Sequence, residues 1–565
     1  MIKILQGINL ESDLSVVKIT LDGENIGDIS TILDKISSFH PLFIKEYSIS
    51  PTLLTISSKL PFLWREASET INQLSRGNIT LNQANEYIIN VLLSKRIKSM
   101  STVSTLYSCT KKHIEVTPAI LETFIPDDSK QGYDAVYNRY YTLGCGKGSQ
   151  ITGSIASSKD AHMAQKIQKD KWTTNTVIER LNLPVHKWQI IKTKGELEEI
   201  WDEFDKPVVI KPTGLTAGKG VSVGIDTLER AKRAFDYAKE KVQGEGRPSW
   251  QKKIMIEEQI KGEDYRLLVI NGKLEIATKR IPAFVIGDGK NTIDQLIKNE
   301  NLNPKRDTKN PAHILKPIVI DKPLLEFLED QGLTLQSIPQ KDEKISVRKV
   351  ASMSQGGITQ DFTDSVSKEI KILVESIARS IHAFTLGVDI MCLDISKPLT
   401  KDNGSILEIN TMPEAYLNMY PVLGKQRDYV SDIYVDSLLS ENKCKRFVVI
   451  GQSKDNLPTL LRRRFTIKKD DTVGEIIDNR YYINSILIND TKERWQSIDS
   501  IKRNALLDVI ILHYRDWNEV KEYGFGFDYI DTLYIAKDQS TYEGHMKIVR
   551  GYKRKGLINK IRVIK

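Results

Sequence analysis

The sequence predicts a multidomain protein that mixes α/β and α+β architecture, and three observations carry that prediction. A chain of 565 residues, at about 150 residues per domain, has room for three or four separate cores. Its 40% apolar and 27% charged residues are the proportions of a folded globular chain rather than a disordered one. From residue 161 to 440 strand-like and helix-like stretches alternate, with glycines at sharp joints. Apolar runs such as Val208-Val209-Ile210 and Leu267-Leu268-Val269-Ile270 are strand-sized, far short of the roughly 18 residues of a membrane span. Asn9, Glu11 and Ser12 interrupt any signal-type stretch behind Met1. A cytoplasmic protein without a membrane partner is expected.

The first region, residues 1–160, combines alternating stretches such as Val16 to Leu21 with helical ones such as Glu86 to Leu93, and carries no catalytic constellation. The second, 161–440, is richest in signals. Tyr265 to Ile270, Asn271-Gly272 and Lys273 to Ile281 read as a hairpin, because Asn-Gly suits the positive φ angles of a type I′ turn. Ile370, Val374, Ile377 and Ile381 recur at helical spacing, which predicts a helix from Ser367 to about Phe384 with Gly387 as its stop. The third region runs from 445 to 565. Cys109, Cys145, Cys392 and Cys444 lie far apart, without a zinc pattern, and are expected as buried, reduced thiols. The net charge of +9 comes from basic residues interspersed with acidic ones, apart from Arg462-Arg463-Arg464 and the Lys553 to Lys555 tail. No aromatic residues are spaced among them as a stacking platform, so nucleic acid is not the expected partner.

Three elements of the second region carry chemistry. Pro207 to Pro212 is a buried strand that delivers Lys211 at its end, and Gly214, Gly218, Lys219 and Gly220 follow in a loop. Glycines let backbone N–H groups approach phosphate oxygens, although a glycine-rich surface turn has the same composition. The spacing departs from a Walker loop, since Gly214 to Gly218 is one residue short and Gly220 follows Lys219. In the second element, Ile254 to Arg266, a strand ends in Glu257 and Glu258 with Ile260 and Asp264 beyond. Such a strand end can meet an adenine edge and a ribose, or it can be a solvated turn. In the third, Glu408 and Asn410 are two apart on a strand and share a face, and Asp389 on a neighbouring strand can complete an oxygen-rich site for Mg²⁺. Asp394, five residues from Asp389, falls on the opposite face unless a bulge intervenes.

These elements, in this order, resemble the ATP-grasp superfamily of carboxylate–amine ligases, and residues 141–440 look like cyanophycin synthetases. Leu143 to Gln150, Asp170-Lys171, Leu183-Pro184-Val185, Asp264 to Val269, Arg280 to Ala283, Gly287-Asp288-Gly289, Ser354 to Gly357 and Asp361 to Asp364 carry the resemblance. It implies an ATP-grasp central module and a ligase that activates a carboxylate as an acyl-phosphate. Lys171, Lys211 and the 214–221 loop would then bind ATP phosphates, Glu257 to Ile260 adenine, and Asp264 ribose. Asp389, Glu408 and Asn410 would bind Mg²⁺, Arg266 and Arg280 would stabilise the transferred phosphoryl group, and Ser354, Gly356 and Gly357 would cradle the activated carboxylate. An amino acid such as aspartate and a peptide or small acid are the implied substrates, with a glutathione-synthetase-like or dipeptide ligase as the alternative. A homo-oligomer is expected. A non-catalytic scaffold is the reading from another class, and the intact lysines and metal ligands speak against it. Two departures fall at the substrate end. The family's serine-threonine-glycine-glycine turn reads Ser354-Gln355-Gly356-Gly357, and its proline-glycine after the metal-binding asparagine reads Pro413-Glu414.

From about 445 the chain resembles part of a Mur-ligase module. Thr472-Val473-Gly474, Tyr482 to Ser485 and Gly524-Phe525-Gly526-Phe527-Asp528 match it, but Gly451 to Pro458 lacks the second glycine and the Lys-Thr pair of a phosphate loop. The family's last Mur domain is also expected to be missing, as the sequence ends at Lys565. This third region is expected to be a catalytically dead half-module.

Overall fold

In the strand Val208–Pro212, Val208 and Ile210 turn to one side and Val209 and Lys211 to the other, as a period of two requires. The computed structural model describes residues 1–565 except 98, 121–137, 169, 216–219, 244–251, 452–466, 492 and 565. The described chain divides into two compact units, residues 158–308 with 313–430, and residues 1–157 with 309–312 and 431–565.

The central unit contains two larger antiparallel sheets and, among the described residues, a two-stranded pair of Phe284–Ile286 with Lys344–Ser346. The first has the spatial order Ser222–Ile225, Val208–Pro212, Ile254–Glu258, Trp188–Ile191. Val208, Ile210, Ile254 and Ile256 pack against the helices Lys194–Ile200 and Leu228–Gln243. Burying each such side chain contributes roughly 1.5–3 kcal/mol, which fixes the buried face and commits Lys211 and Glu257 to the other. The second sheet has the order Ile358–Asp361, Lys273–Ile281, Glu263–Ile270, Thr385–Cys392, Gly404–Thr411. Tyr265, Leu267, Val269, Val388 and Ile390 lie under the helix Lys368–Ser380. Asp264, Arg266 and Asp389 alternate with them and therefore occupy the other face.

The Asn-Gly hairpin forms as the sequence predicts, with Ile270 opposite Lys273 and φ of 49° at Asn271 and 72° at Gly272. The following helix departs from the prediction. Ser367 caps it by accepting from the Ile370 N–H, but it ends at Ser380, not near Phe384. His382 takes the left-handed conformation, with φ of 55°, and the Ala383 N–H donates to the Ala378 carbonyl, closing a Schellman-type end. Gly387 is therefore not a helix stop. It sits in the next strand opposite Leu268, where a Cβ would come within 3.1 Å of the Arg266 side chain.

In the outer unit, Ile2–Leu5, Val16–Thr20, Leu53–Ser57 and Glu46–Ile49 form an antiparallel sheet. A seven-stranded sheet follows the order Ile486–Asp490, Arg480–Ile483, Val473–Ile477, Val509–Tyr514, Lys445–Ile450, Ile530–Ala536, Ile558–Ile564, and its last five strands are parallel. The chain after the first strand is bonded into this region: the Ile8 N–H donates to the Phe527 carbonyl, and the N–H groups of Phe525 and Gly526 donate to Ile8 and Gln6. Ile8, Phe525 and Phe527 share one core cluster. Residues of the first and third sequence regions thus build one compact unit. The four cysteines are buried and unpaired in disulfides.

Candidate active site

The strand Val208–Pro212 pairs with Ile254–Glu258 so that Val209 faces Glu257 and Lys211 faces Met255. On this face the Lys211 ammonium lies 2.5 Å from Glu257 Oε1, and the ring Nε2 of His186 lies 2.8 Å from Glu257 Oε2. Burial opposes the charge of Glu257, but Lys211 and His186 outweigh it and hold the carboxyl down at about 2. Glu257 is therefore an anion that fixes a lysine.

Lys171 opens the helix Lys171–Arg180, whose N-cap Asp170 accepts from the Thr173 N–H. The Lys171 ammonium donates to the Leu215 carbonyl at 2.8 Å and lies 3.8 Å from Glu408 Oε2. Burial pushes its pKa down, Glu408 opposes that, and Lys211 adds to it. Two ammonium groups thus converge between a strand of each sheet. Gly214 is buried, and Gly220 has φ of 71° with Pro212 against the place of a Cβ. Gly218 and Lys219 lie outside the described residues. At the strand end, the Glu258 N–H donates to the Lys187 carbonyl and its Oε2 accepts from the Lys187 N–H. Ile260 is half-buried just beyond.

On the second sheet, Asp389 stands opposite Arg266 on one side and Glu408 on the other. Arg266 grips both Asp389 oxygens, and Arg280 lies 2.6 Å from Asp264 and 3.1 Å from Asp389. Burial opposes the charge of Asp389, yet the two guanidinium groups keep it below the usual carboxylate range. The outcome differs for Asp264: burial and the neighbouring Asp389 raise it in spite of Arg280. Both Asp389 oxygens are thus committed to arginines. A bulge between Asp389–Glu408 and Ile390–Ile406 makes Leu407 the extra residue, so Ile406 joins the core while Glu408 and Asn410 share the open face. The buried Asn410 Nδ2 has no hydrogen-bond partner among the described residues. Asp394 lies past the strand end at Cys392, in a turn where it accepts from the N–H and hydroxyl of Ser396.

The Ser354 to Gly357 turn enters the strand Ile358–Asp361 beside Arg280, with Ile358 opposite Ile281. Two of its N–H groups are already used, because Gln355 and Gly357 both donate to the Ser352 carbonyl. Ser354 is exposed, its hydroxyl 3.0 Å from that of Ser352. Gly356 has φ of 93° and sits against Ile318, and its carbonyl accepts from Arg306. The structure thus brings Lys171, Lys211, Glu257, Asp264, Arg266, Arg280, Asp389, Glu408 and Asn410 to the open faces of two sheets in one unit. His186 joins them through Glu257 without a motif to announce it, and Arg306 anchors the Ser354 to Gly357 turn through the Gly356 carbonyl; the one signal for His186 is its place between Pro184 and the strand Trp188–Ile191.

Within this unit, residues 169–280 match the family model of the phosphoribosylglycinamide synthetase ATP-grasp (A) domain. The central unit is an ATP-grasp module. The chain is similar to the cyanophycin synthetase of Synechocystis sp., 32% identical over 404 residues that cover 70% of this chain and 45% of that protein. It is also similar to a bifunctional glutathione biosynthesis protein of Clostridium perfringens, 31% identical over 280 residues, 49% of this chain and 35% of that one. A crystal structure of a bifunctional glutathione synthetase from Pasteurella multocida aligns with a TM-score of 0.46 and 23% identity over 66% of this chain and 47% of that one. The chain spans less than half the length of these relatives. Among the described residues no helix is long and apolar enough to cross a membrane.

Proposed function

We propose that the chain is an ATP-dependent carboxylate–amine ligase. The observation that carries this reading is a pair of neighbouring lysines, Lys211 held by Glu257 on one sheet and Lys171 set 3.8 Å from Glu408 on the edge strand of the other, which also presents Asn410. A carboxylate oxygen of the acid substrate attacks the γ-phosphorus of ATP and ADP leaves; the amine then attacks the acyl carbon and phosphate leaves. Phosphoryl transfer needs positioning and cationic clamps rather than a protein nucleophile. Lys171 and Lys211 would hold the phosphates, Glu257 to Ile260 would border the base, Asp264 would face the ribose, and Arg266 and Arg280 would face the transferred group.

The donor set fits Mg²⁺ at Glu408 and Asn410, because a carboxylate and an amide oxygen suit a hard cation; the orphaned Asn410 Nδ2 is a donor, suited to a phosphate oxygen rather than to the ion. Bound there, the ion would neutralise charge on the phosphates. Asp389 contributes through the arginines it orients, and it becomes a ligand only if they release it. The similarity to cyanophycin synthetases supports addition of an amino acid such as aspartate to a peptide or small acid. The similarity to a glutathione biosynthesis protein supports a dipeptide-type ligase as the second reading. The exposed Ser354 and half-buried Gln355 at the turn are where this choice would be made.

Residues 445–565 are read as a catalytically dead module, retained for packing, assembly or acceptor binding. The strand Lys445–Ile450 ends at Gly451, where a Cβ would lie 2.4 Å from the Gln539 side chain. The rest of the former loop, from Gln452 on, lies outside the described residues. Screening amino acids against short aspartate-containing peptides and small acids for ADP release, with mass spectrometry of the products, tests the function. AMP as the stoichiometric product overturns it.

A further inference from the structure

We infer that His186 is a positioning residue that sets the lysine-bearing sheet against the carboxylate-bearing strand; the inference rests on the nucleotide-site reading above. The chain itself crosses between the sheets here. Val185 forms a parallel bridge to Ile406 at the edge of the five-stranded sheet, and Trp188 pairs with Glu257 in the four-stranded one. His186 lies between these two points, and its side chain is fully buried.

Its contacts reach both ways. The His186 N–H donates to Ser405 Oγ at 2.8 Å, and the ring Nδ1 is 3.2 Å from the same oxygen. Ser405 stands three residues before Glu408 on one strand. On the other side, Nε2 meets one oxygen of Glu257 while Lys211 holds the second. A single ring therefore joins Lys211, through a carboxylate, to the strand that presents Glu408 and Asn410, through a hydroxyl.

The protons can be placed without conflict. A neutral imidazole with its hydrogen on Nε2 donates to Glu257, and Nδ1 accepts from the Ser405 hydroxyl, whose lone pair receives the His186 N–H. The Ser405 hydroxyl also lies 3.2 Å from the Ile406 carbonyl; turned there, it accepts from Nδ1 of an imidazolium whose Nε2 still donates to Glu257. An apolar side chain of similar size would fill the space but leave Glu257 with one anchor and Lys211 free to swing with it. The expected effect is therefore on the geometry of ATP and not only on folding.

The test uses the full chain, calorimetric titration with a non-hydrolysable ATP analogue plus Mg²⁺, and ADP-release kinetics. His186→Leu is expected to weaken analogue binding about tenfold and to lower kcat/KM for ATP by at least as much. His186→Gln, whose amide can donate to Glu257 and accept from Ser405, is expected to stay within about threefold of wild type. Ser405→Ala is expected to weaken binding severalfold alone and to add nothing in the His186→Leu background. Wild-type binding and turnover in His186→Leu overturn the inference, as does equal loss in the leucine and glutamine variants. Should His186→Leu fail to fold, Ser405→Ala decides, since it leaves the ring in place; unchanged binding there overturns the inference. Failure of the wild type to bind the analogue overturns the nucleotide-site reading itself, whereas wild-type binding that is lost in Lys211→Ala and unaffected in His186→Leu overturns the positioning role alone.

Discussion

Lys211 and Glu257 are each buried at the price of a partner, and their pairing makes a sharp expectation at the scale of single residues. Charge-assisted hydrogen bonds contribute about 1.5–3 kcal/mol each, so Lys211→Ala should weaken ATP binding at least tenfold by calorimetry and abolish ADP release. Glu257 titrates at about 2 in the fold against an ordinary 4.5. A depressed acid stabilises the fold above its unfolded pKa and loses that contribution as pH falls through the folded value. The window is therefore about pH 4.5 down to about 2, and thermal midpoints of the wild type should fall more steeply across it than those of Glu257→Gln. At neutral pH the same variant leaves a buried lysine unpaired and should cost on the order of 3 kcal/mol. Glu408→Ala should nearly abolish turnover with the fold intact, while Asp394→Ala removes turn contacts to Ser396 and an ion pair with Lys397 at 3.4 Å and should leave turnover unchanged. Equal losses in the two would overturn the face assignment. Lys211, Glu408 and Asn410 were legible in the sequence because strand alternation puts a charged residue on the face opposite its apolar neighbours. His186 was not, because a lone histidine in a connecting segment has no periodicity to break.

Elements place these residues, and under the proposed function the turn at Ser354 to Gly357 is where element geometry would bear on substrate. Gly356 combines φ of 93° with a backbone atom of Ile318 only 2.8 Å from the place of a Cβ. An alanine there is strained on both counts, at roughly 1–3 kcal/mol for the dihedral alone, and the loop between Ser352 and Ile358 must shift. Gly356→Ala should raise KM for the acid substrate at least tenfold in steady-state kinetics, with ATP affinity within about twofold of wild type by calorimetry. An equal loss of both would place the turn in the nucleotide site instead. The hairpin at Asn271-Gly272 was legible because two residues dictate its turn. The end of the helix at Ser380 was not, since His382 rather than a glycine takes the left-handed position. The bulge at Leu407 was equally hidden: one extra residue returns Ile406 to the core while Glu408 stays out, and nothing local in the sequence encodes it.

At the scale of the whole molecule, the outer unit joins the first and last parts of the chain through charges as well as apolar packing. Lys59 pairs with Asp528 and also donates to the Ile114 carbonyl; Lys502 pairs with Glu115 at 2.7 Å, and the Glu115 carboxylate accepts from the Asp528 N–H. All four side chains are buried. Burial works against the charge of Asp528, yet Lys59 and Lys502 keep its pKa low. Sequence alone separated these residues into first and third regions, because a contact between positions 59 and 528 leaves no local pattern. Removing one partner of a buried pair strands a charge and costs about 3–5 kcal/mol, whereas replacing both with apolar groups is often neutral or stabilising. Asp528→Ala should therefore lower the denaturant midpoint of the full chain strongly, and Lys59→Met with Asp528→Leu together should recover most of the loss. Hydrogen exchange gives the location: in Asp528→Ala, protection should fall together in the strand Val16–Thr20 and in the strand Ile530–Ala536, which lie far apart in sequence but within one compact unit. Loss confined to residues after 445 would show that the first part of the chain holds its fold without the last, and that the packing role of the last part is dispensable.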